Sequence, residues 1–91
     1  MRVKWDIHKN KVLMRTRGLG FEEAVTLFEK EYVIQNKNDF PEQYKAIGFT
    51  RTGALVSLIV GIRSDDHGEY EWLVTFWIST KDEAKIYEQN I

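Results

Sequence analysis

The residues of this sequence best suited to chemistry are cations: Lys9, Lys11, Arg15 and Arg17 close together, with Lys45 and Arg51 further along. Guanidinium groups grip phosphate through two parallel hydrogen bonds, and ammonium groups act on it as point charges. Gathered around an RNA strand, Arg15, Arg17 and Arg51 suit stabilisation of the dianionic phosphorane formed when a 2′-hydroxyl attacks its neighbouring phosphate. Lys9, Lys11 and Lys45 suit contacts with the strand's backbone. The same six residues also suit a solvated surface whose charge serves solubility.

Other reactive types are sparse. His8 and His67 are the only histidines, the side chains whose ordinary pKa lies near neutrality. His67 stands in an acidic turn, which points to solvent exposure. His8 opens the basic segment, where it is either an exposed helix residue or a proton-transfer or RNA-contacting group. Gly18 and Gly20 form a fragment of a phosphate-binding glycine pattern, more simply read as helix termination and capping. Trp77 is a candidate for stacking on a nucleobase or for anchoring a protein partner, or for packing beneath a helix. No Walker loop, paired metal-binding histidines or nucleophile elbow occurs, so neither a metal nor a cofactor is expected.

Composition bounds the rest. The chain has 91 residues, 43% of them hydrophobic and 30% charged, which predicts one globular domain over 1–91. With no cysteine, disulfide frameworks and thiolate metal sites are excluded, which fits a cytoplasmic protein. The longest apolar run, Leu55 to Ile62, is interrupted by Ser57 and Gly61 and is too short to span a bilayer. Net charge is −1, yet it is unevenly spread. Residues 1–20 hold six Lys/Arg against Asp6 alone, and 45–63 hold Lys45, Arg51 and Arg63 without an acid, whereas 21–44 and 64–91 are acidic. A basic face and an acidic face are the expected result.

These groups need a scaffold. Arg2–Trp5 alternates as a short edge strand, and His8–Arg17 reads as a basic helix stopped by Gly18. Phe21, Ala24, Val25 and Phe28 share one side of a helix predicted over Phe21–Lys30. Tyr32–Gln35 reads as a strand and Asn36–Pro41 as polar loop. Tyr44–Thr50, Ala54–Arg63 and Glu69–Ile78 form three strands of an antiparallel meander. Alternation in the last puts Tyr70, Trp72, Val74, Phe76 and Ile78 on the core face, with Trp77 opposite. Thr80-Lys81-Asp82-Glu83 matches a capping box that opens a terminal helix over Lys81–Gln89. Helices on one face of an antiparallel sheet give a two-layer α+β fold.

Trp5-Asp6, Phe21-Glu22-Glu23-Ala24, Glu42-Gln43-Tyr44 and Thr80-Lys81-Asp82-Glu83, distributed along nearly the whole chain, resemble motifs of the BrnT toxin family. Trp5-Asp6 with Lys9, then Gly18, then Phe21-Glu22-Glu23-Ala24 with Phe28, is similar to the family's opening. Glu42-Gln43-Tyr44-Lys45-Ala46-Ile47-Gly48, followed by Gly53 and Leu55, resembles its first hairpin. Thr80-Lys81-Asp82-Glu83-Ala84-Lys85-Ile86-Tyr87-Glu88 resembles its terminal helix.

The resemblance implies a RelE-like fold, metal-independent endoribonuclease activity that halts translation, and a ribbon-helix-helix antitoxin as partner in a type II toxin–antitoxin system. At three positions the family's polar residues are replaced. Its Lys-His-Gly element is Thr16-Arg17-Gly18 here, an arginine of the first hairpin is Gln43, and an arginine after the last strand falls on Trp77. Indole cannot make a guanidinium's paired phosphate contact. The alternative is therefore a catalytically inactive relative that serves as a protein-binding module, with Trp77 and the basic helix as its interface. A toxin acting on a protein target such as a gyrase is a third expectation.

Overall fold

The computed structural model describes residues 2–91. Strand β1 is Val3–Trp5, followed by helix α1, Ile7–Arg17, a short α2, Phe21–Ala24, and a 3-10 helix, Val25–Glu29. Strands β2, Tyr32–Asp39, β3, Glu42–Phe49, β4, Leu55–Asp65, and β5, Gly68–Ile78, precede helix α3, Lys81–Asn90. The five strands form one sheet in the order β1-β5-β4-β3-β2. The consecutive pairs from β2 to β5 are antiparallel, while β1 joins the free side of β5 in parallel. The expected α+β architecture is present, with a mixed sheet.

Local chemistry explains the helix ends. The Asp6 side chain accepts from the Lys9 amide at 3.0 Å, and Gly18 closes α1 in the left-handed region at φ 81°. Glycine has no Cβ to object to that conformation. Thr80 and Glu83 complete the capping box of α3 reciprocally, at 3.2 Å and 2.9 Å. The helix expected over Phe21–Lys30 is shorter and tighter than predicted. After Ala24 it narrows to 3-10 geometry, and the Thr26 hydroxyl donates to Glu23 O and accepts from the Arg51 amide. Asn36–Pro41, expected as loop, mostly belongs to the sheet, because β2 runs to Asp39 and only Phe40 and Pro41 turn.

One irregularity divides the sheet's faces. Ile59 pairs with Thr75, but Val60 pairs with Leu73, which leaves Val74 as an extra residue in β5. Such a bulge reverses the alternation beyond it. The predicted core row of Tyr70, Trp72, Val74, Phe76 and Ile78 is accordingly broken: Phe76 and Leu73 are buried, Tyr70, Trp72 and Val74 are half-buried, and Ile78 is exposed.

The core lies between that face and the first helices. Leu13, Phe21, Ala24 and Leu27 pack on Ala46, Val56, Leu58, Val60, Leu73 and Phe76. Phe21 meets Phe76 edge-on at 5.4 Å and stacks on Trp5 at 5.9 Å between ring centroids, arrangements that complement the ring quadrupoles. Helix α3 packs against the reverse face, on β2, β3 and Trp77. Among the described residues no helix is long and apolar enough to cross a membrane.

Phe21→Ala should lower the unfolding free energy by about 3–5 kcal/mol, because Phe21 is fully buried at the centre of the core. Val12→Ala, on the exposed side of α1, should change it by less than about 0.5 kcal/mol. Urea unfolding of the two variants checks both values.

Candidate functional site

The candidate cations fall in three places. Lys9, Lys11, Arg15 and Arg17 lie on α1, which buries little besides Leu13. Among the described residues no salt bridge reaches any of the four. Helical spacing sorts them. Ile7, Lys11, Met14 and Arg15, at i, i+4, i+7 and i+8, form one outward stripe, and Lys9, Val12 and Thr16 form another. Ile7 is 67% exposed and Met14 54%. His8 is exposed on the same helix.

Arg51 stands in the β3–β4 turn, where its guanidinium grips both carboxylate oxygens of Glu29. That bond holds the Glu29 carboxyl below its ordinary range. Arg51 also borders a cleft of about 380 Å³ whose other walls include Asn10, Met14, Glu22, Glu23 and Thr26. The Glu23 carboxylate accepts from the Thr52 hydroxyl and amide, and these bonds keep it ionised. With Glu22 and Glu23 opposing one paired arginine, the cleft repels phosphate.

Lys45 and Trp77 meet on the other side of the sheet, beneath α3. Lys45 Nζ lies 2.8 Å from Glu83 Oε2, and Trp77 donates its indole N–H to Glu83 Oε1 at 2.9 Å. The Lys45 ammonium also sits 6.0 Å from the centroid of the Trp77 ring. Ser57, directly opposite Trp77 in the sheet, shares a 2.9 Å hydrogen bond with Ser79. Burial pushes the Glu83 carboxyl up, but hydrogen bonds from Lys45, the Thr80 amide, Trp77 and Ser57 outweigh it and hold the pKa at about 2. The lysine and the indole are thus committed to fastening α3.

The structure therefore brings Lys45 to Trp77 and keeps both away from Arg51, with the sheet between them. Arg15 and Arg17 occupy the last turn of α1, outside these two networks. No protein-family model and no curated protein matches this chain. Gly18 and Gly20 serve as helix caps, and a four-residue α2 has too weak a dipole to hold phosphate. Among the described residues no cluster of His, Asp and Glu is placed to hold a metal.

Sequence reasoning missed Glu83 as the organiser of a buried network, and Asp65. The Asp65 carboxylate accepts from Arg2 at 2.8 Å and Lys4 at 3.0 Å, which holds its pKa far below the usual range. The capping-box motif identified Glu83 as a helix residue. Nothing in the linear pattern showed that its second oxygen would face Lys45.

Glu83 titrates at about 2 in the folded chain against 4.5 ordinarily. The stability it contributes is complete above about pH 4.5 and is lost as pH falls toward 2. Glu83→Gln should therefore cost roughly 2–3 kcal/mol at pH 7, and the gap from the native chain should close on acidification. Urea unfolding across that pH range reads it.

Proposed function

We propose that this chain is a BrnT-like toxin of a type II toxin–antitoxin system and that α1 is the element its ribbon-helix-helix antitoxin holds. The observation that carries this reading is the state of α1. It is an eleven-residue helix with Ile7 and Met14 exposed beside Lys11 and Arg15, and among the described residues no salt bridge reaches its cations. A helix with alternating apolar and cationic positions fits an amphipathic segment that brings acids to the same register. The α+β order of strand, helices, hairpins and terminal helix is compatible with the scaffold that the sequence resemblance implies.

Translation inhibition through RNA is the activity that goes with this reading. Arg15 and Arg17 are its available phosphate-stabilising groups, with Lys9 and Lys11 next to them. A second reading, a non-catalytic module that keeps the scaffold and the partner, draws on a separate observation. Arg51, Lys45 and Trp77 each satisfy an internal carboxylate, so they do not converge with Arg15 and Arg17 on one phosphate.

Two measurements separate these readings. Expression of the chain should arrest growth, and co-expression of a ribbon-helix-helix antitoxin should restore growth and capture the chain. Reversing charge with Lys11→Glu and Arg15→Glu should abolish capture without loss of folding. Unimpaired growth together with failure to capture would overturn the proposal. In a parallel assay of purified protein, RNA cleavage that drops roughly 100-fold on Arg15→Ala or Arg17→Ala identifies the active toxin. Intact RNA with capture retained identifies the binding module.

A further inference from the structure

The β2–β3 hairpin ends in the most exposed large apolar side chain among the described residues. Phe40 is 96% exposed, and with Pro41 it turns the chain. Asp39 and Glu42 form the last pair of this ladder, whereas β3 keeps register with β4 only as far as Gln43 opposite Gly61. The tip therefore projects past the β3–β4 ladder, with a phenylalanine at its end and an exposed carboxylate on each strand. Among the described residues no salt bridge reaches Asp39 or Glu42. Residues 38–43 contain no cation, the nearest in sequence being Lys37.

Helix α1 presents the complementary chemistry. His8, Lys11, Val12 and Arg15, at i, i+3, i+4 and i+7, enclose a hole of the kind that takes one side chain of a partner. All four are exposed, Val12 by 46%. The acids near α1 lie to either side of this hole: Glu22 and Glu23 line the cleft on the Asn10–Met14 flank, and Asp6 caps the helix before Ile7. Spacing matches as well as charge. Residues paired across an antiparallel ladder have Cα atoms about 4.5–5.5 Å apart, and residues four apart on a helix, such as Lys11 and Arg15, are separated by about 6 Å along its axis. Asp39 and Glu42 can each meet one cation while Phe40 enters between them, onto Val12 and the aliphatic stems of Lys11 and Arg15. Within one chain the two surfaces do not meet, since Phe40 and both acids stay exposed.

We propose that a second copy of this chain covers α1 with its β2–β3 tip, seating Phe40 among His8, Lys11, Val12 and Arg15 and pairing Asp39 and Glu42 with Lys11 and Arg15. The contact is head to tail, because tip and helix are different surfaces. A phenylalanine buries about 150–250 Å², and two ion pairs at the rim add little. The interface is far smaller than the roughly 1,200 Å² of stable complexes, so the copies exchange readily and salt weakens their association. The contact is independent of RNA cleavage. Under the reading above, on which this consequence rests, antitoxin and tip compete for α1.

Sedimentation equilibrium of the full chain at low salt, from about 10 μM to about 1 mM, reads the contact. The average mass should climb above that of one chain. Phe40→Ser should weaken association at least about 10-fold, and so should Lys11→Glu with Arg15→Glu. These positions are exposed, and circular dichroism with thermal unfolding verifies that each variant is folded. An equimolar mixture of the two variants should associate again, into pairs that do not extend, because one supplies an intact α1 and the other an intact tip. A native chain that stays single over the whole range overturns the proposal. Association that either variant leaves unchanged overturns it too, as does a mixture that stays single. Antitoxin capture of Phe40→Ser, which leaves α1 untouched, is read separately, so failure of this contact and failure of the reading above are distinguished.

Discussion

The extra residue at Val74 in β5 is the constraint from which the arrangement of this protein follows. A strand with strict alternation would bury Tyr70 and Trp72 together with Phe76. The bulge instead gives the helical layer Leu73 below it and Phe76 above it, and Phe21, Leu27 and Leu13 close on those two side chains. The rings displaced from the core go to the face that has least to cover it. Core packing and surface chemistry are thereby set by one backbone irregularity, which is a recurrent use of bulges in re-aiming side chains.

The second organising element is electrostatic. Glu83 is buried to 6% exposure, a position that is tolerable for a carboxylate only with full hydrogen bonding. It has that from Lys45, Trp77 and the Thr80 amide. Ionised, it ties α3 across the end of the sheet and removes Lys45 and Trp77 from the surface available to ligands. Glu29 does the same to Arg51 in a more exposed setting. Once these pairs are made, and Asp65 has answered Arg2 and Lys4, the cations of the two basic segments left without a salt bridge among the described residues are Lys9, Lys11, Arg15 and Arg17 on α1 and Arg63 on the reverse face of the sheet. The expected basic face thus resolves into two separated surfaces.

The sequence was most legible where an element carries its own signal. Asp6 and Gly18 bound α1, Thr80 and Glu83 open α3, and the turns around Gly53 and Gly68 separate the long strands, all within a residue or two of expectation. What escaped notice depends on neighbours remote in the chain. The bulge is a matter of register between β4 and β5, so period-two alternation in β5 alone misassigned Tyr70 and Trp72. Thr26 looks like an ordinary member of a helix until Arg51 brings an amide to its hydroxyl. The candidate site was legible as residue types but not as partnerships. Arg51 and Lys45 find their carboxylates 22 and 38 residues away, at Glu29 and Glu83, and Trp77 packs beneath a helix, one of the readings open to it, through an indole bond to Glu83 that residue type alone did not show. Gly61 and Arg63 were read only as a break in an apolar run and a member of a basic segment, since a glycine two residues before an arginine has meaning only when the strand places one over the other.

The three tryptophans provide the most direct test of this two-surface account, because each reports a different place. Trp5 stacks on Phe21 in the helical side, Trp77 is bonded to Glu83 beneath α3, and Trp72 lies on the bare sheet face. Two-dimensional nuclear magnetic resonance of the indole N–H groups as pH falls from about 4.5 toward 2 distinguishes them in one experiment. The account predicts that the Trp77 signal moves as Glu83 takes up its proton while those of Trp5 and Trp72 stay in place. A Trp77 signal that does not move, or moves no more than the other two, would contradict it.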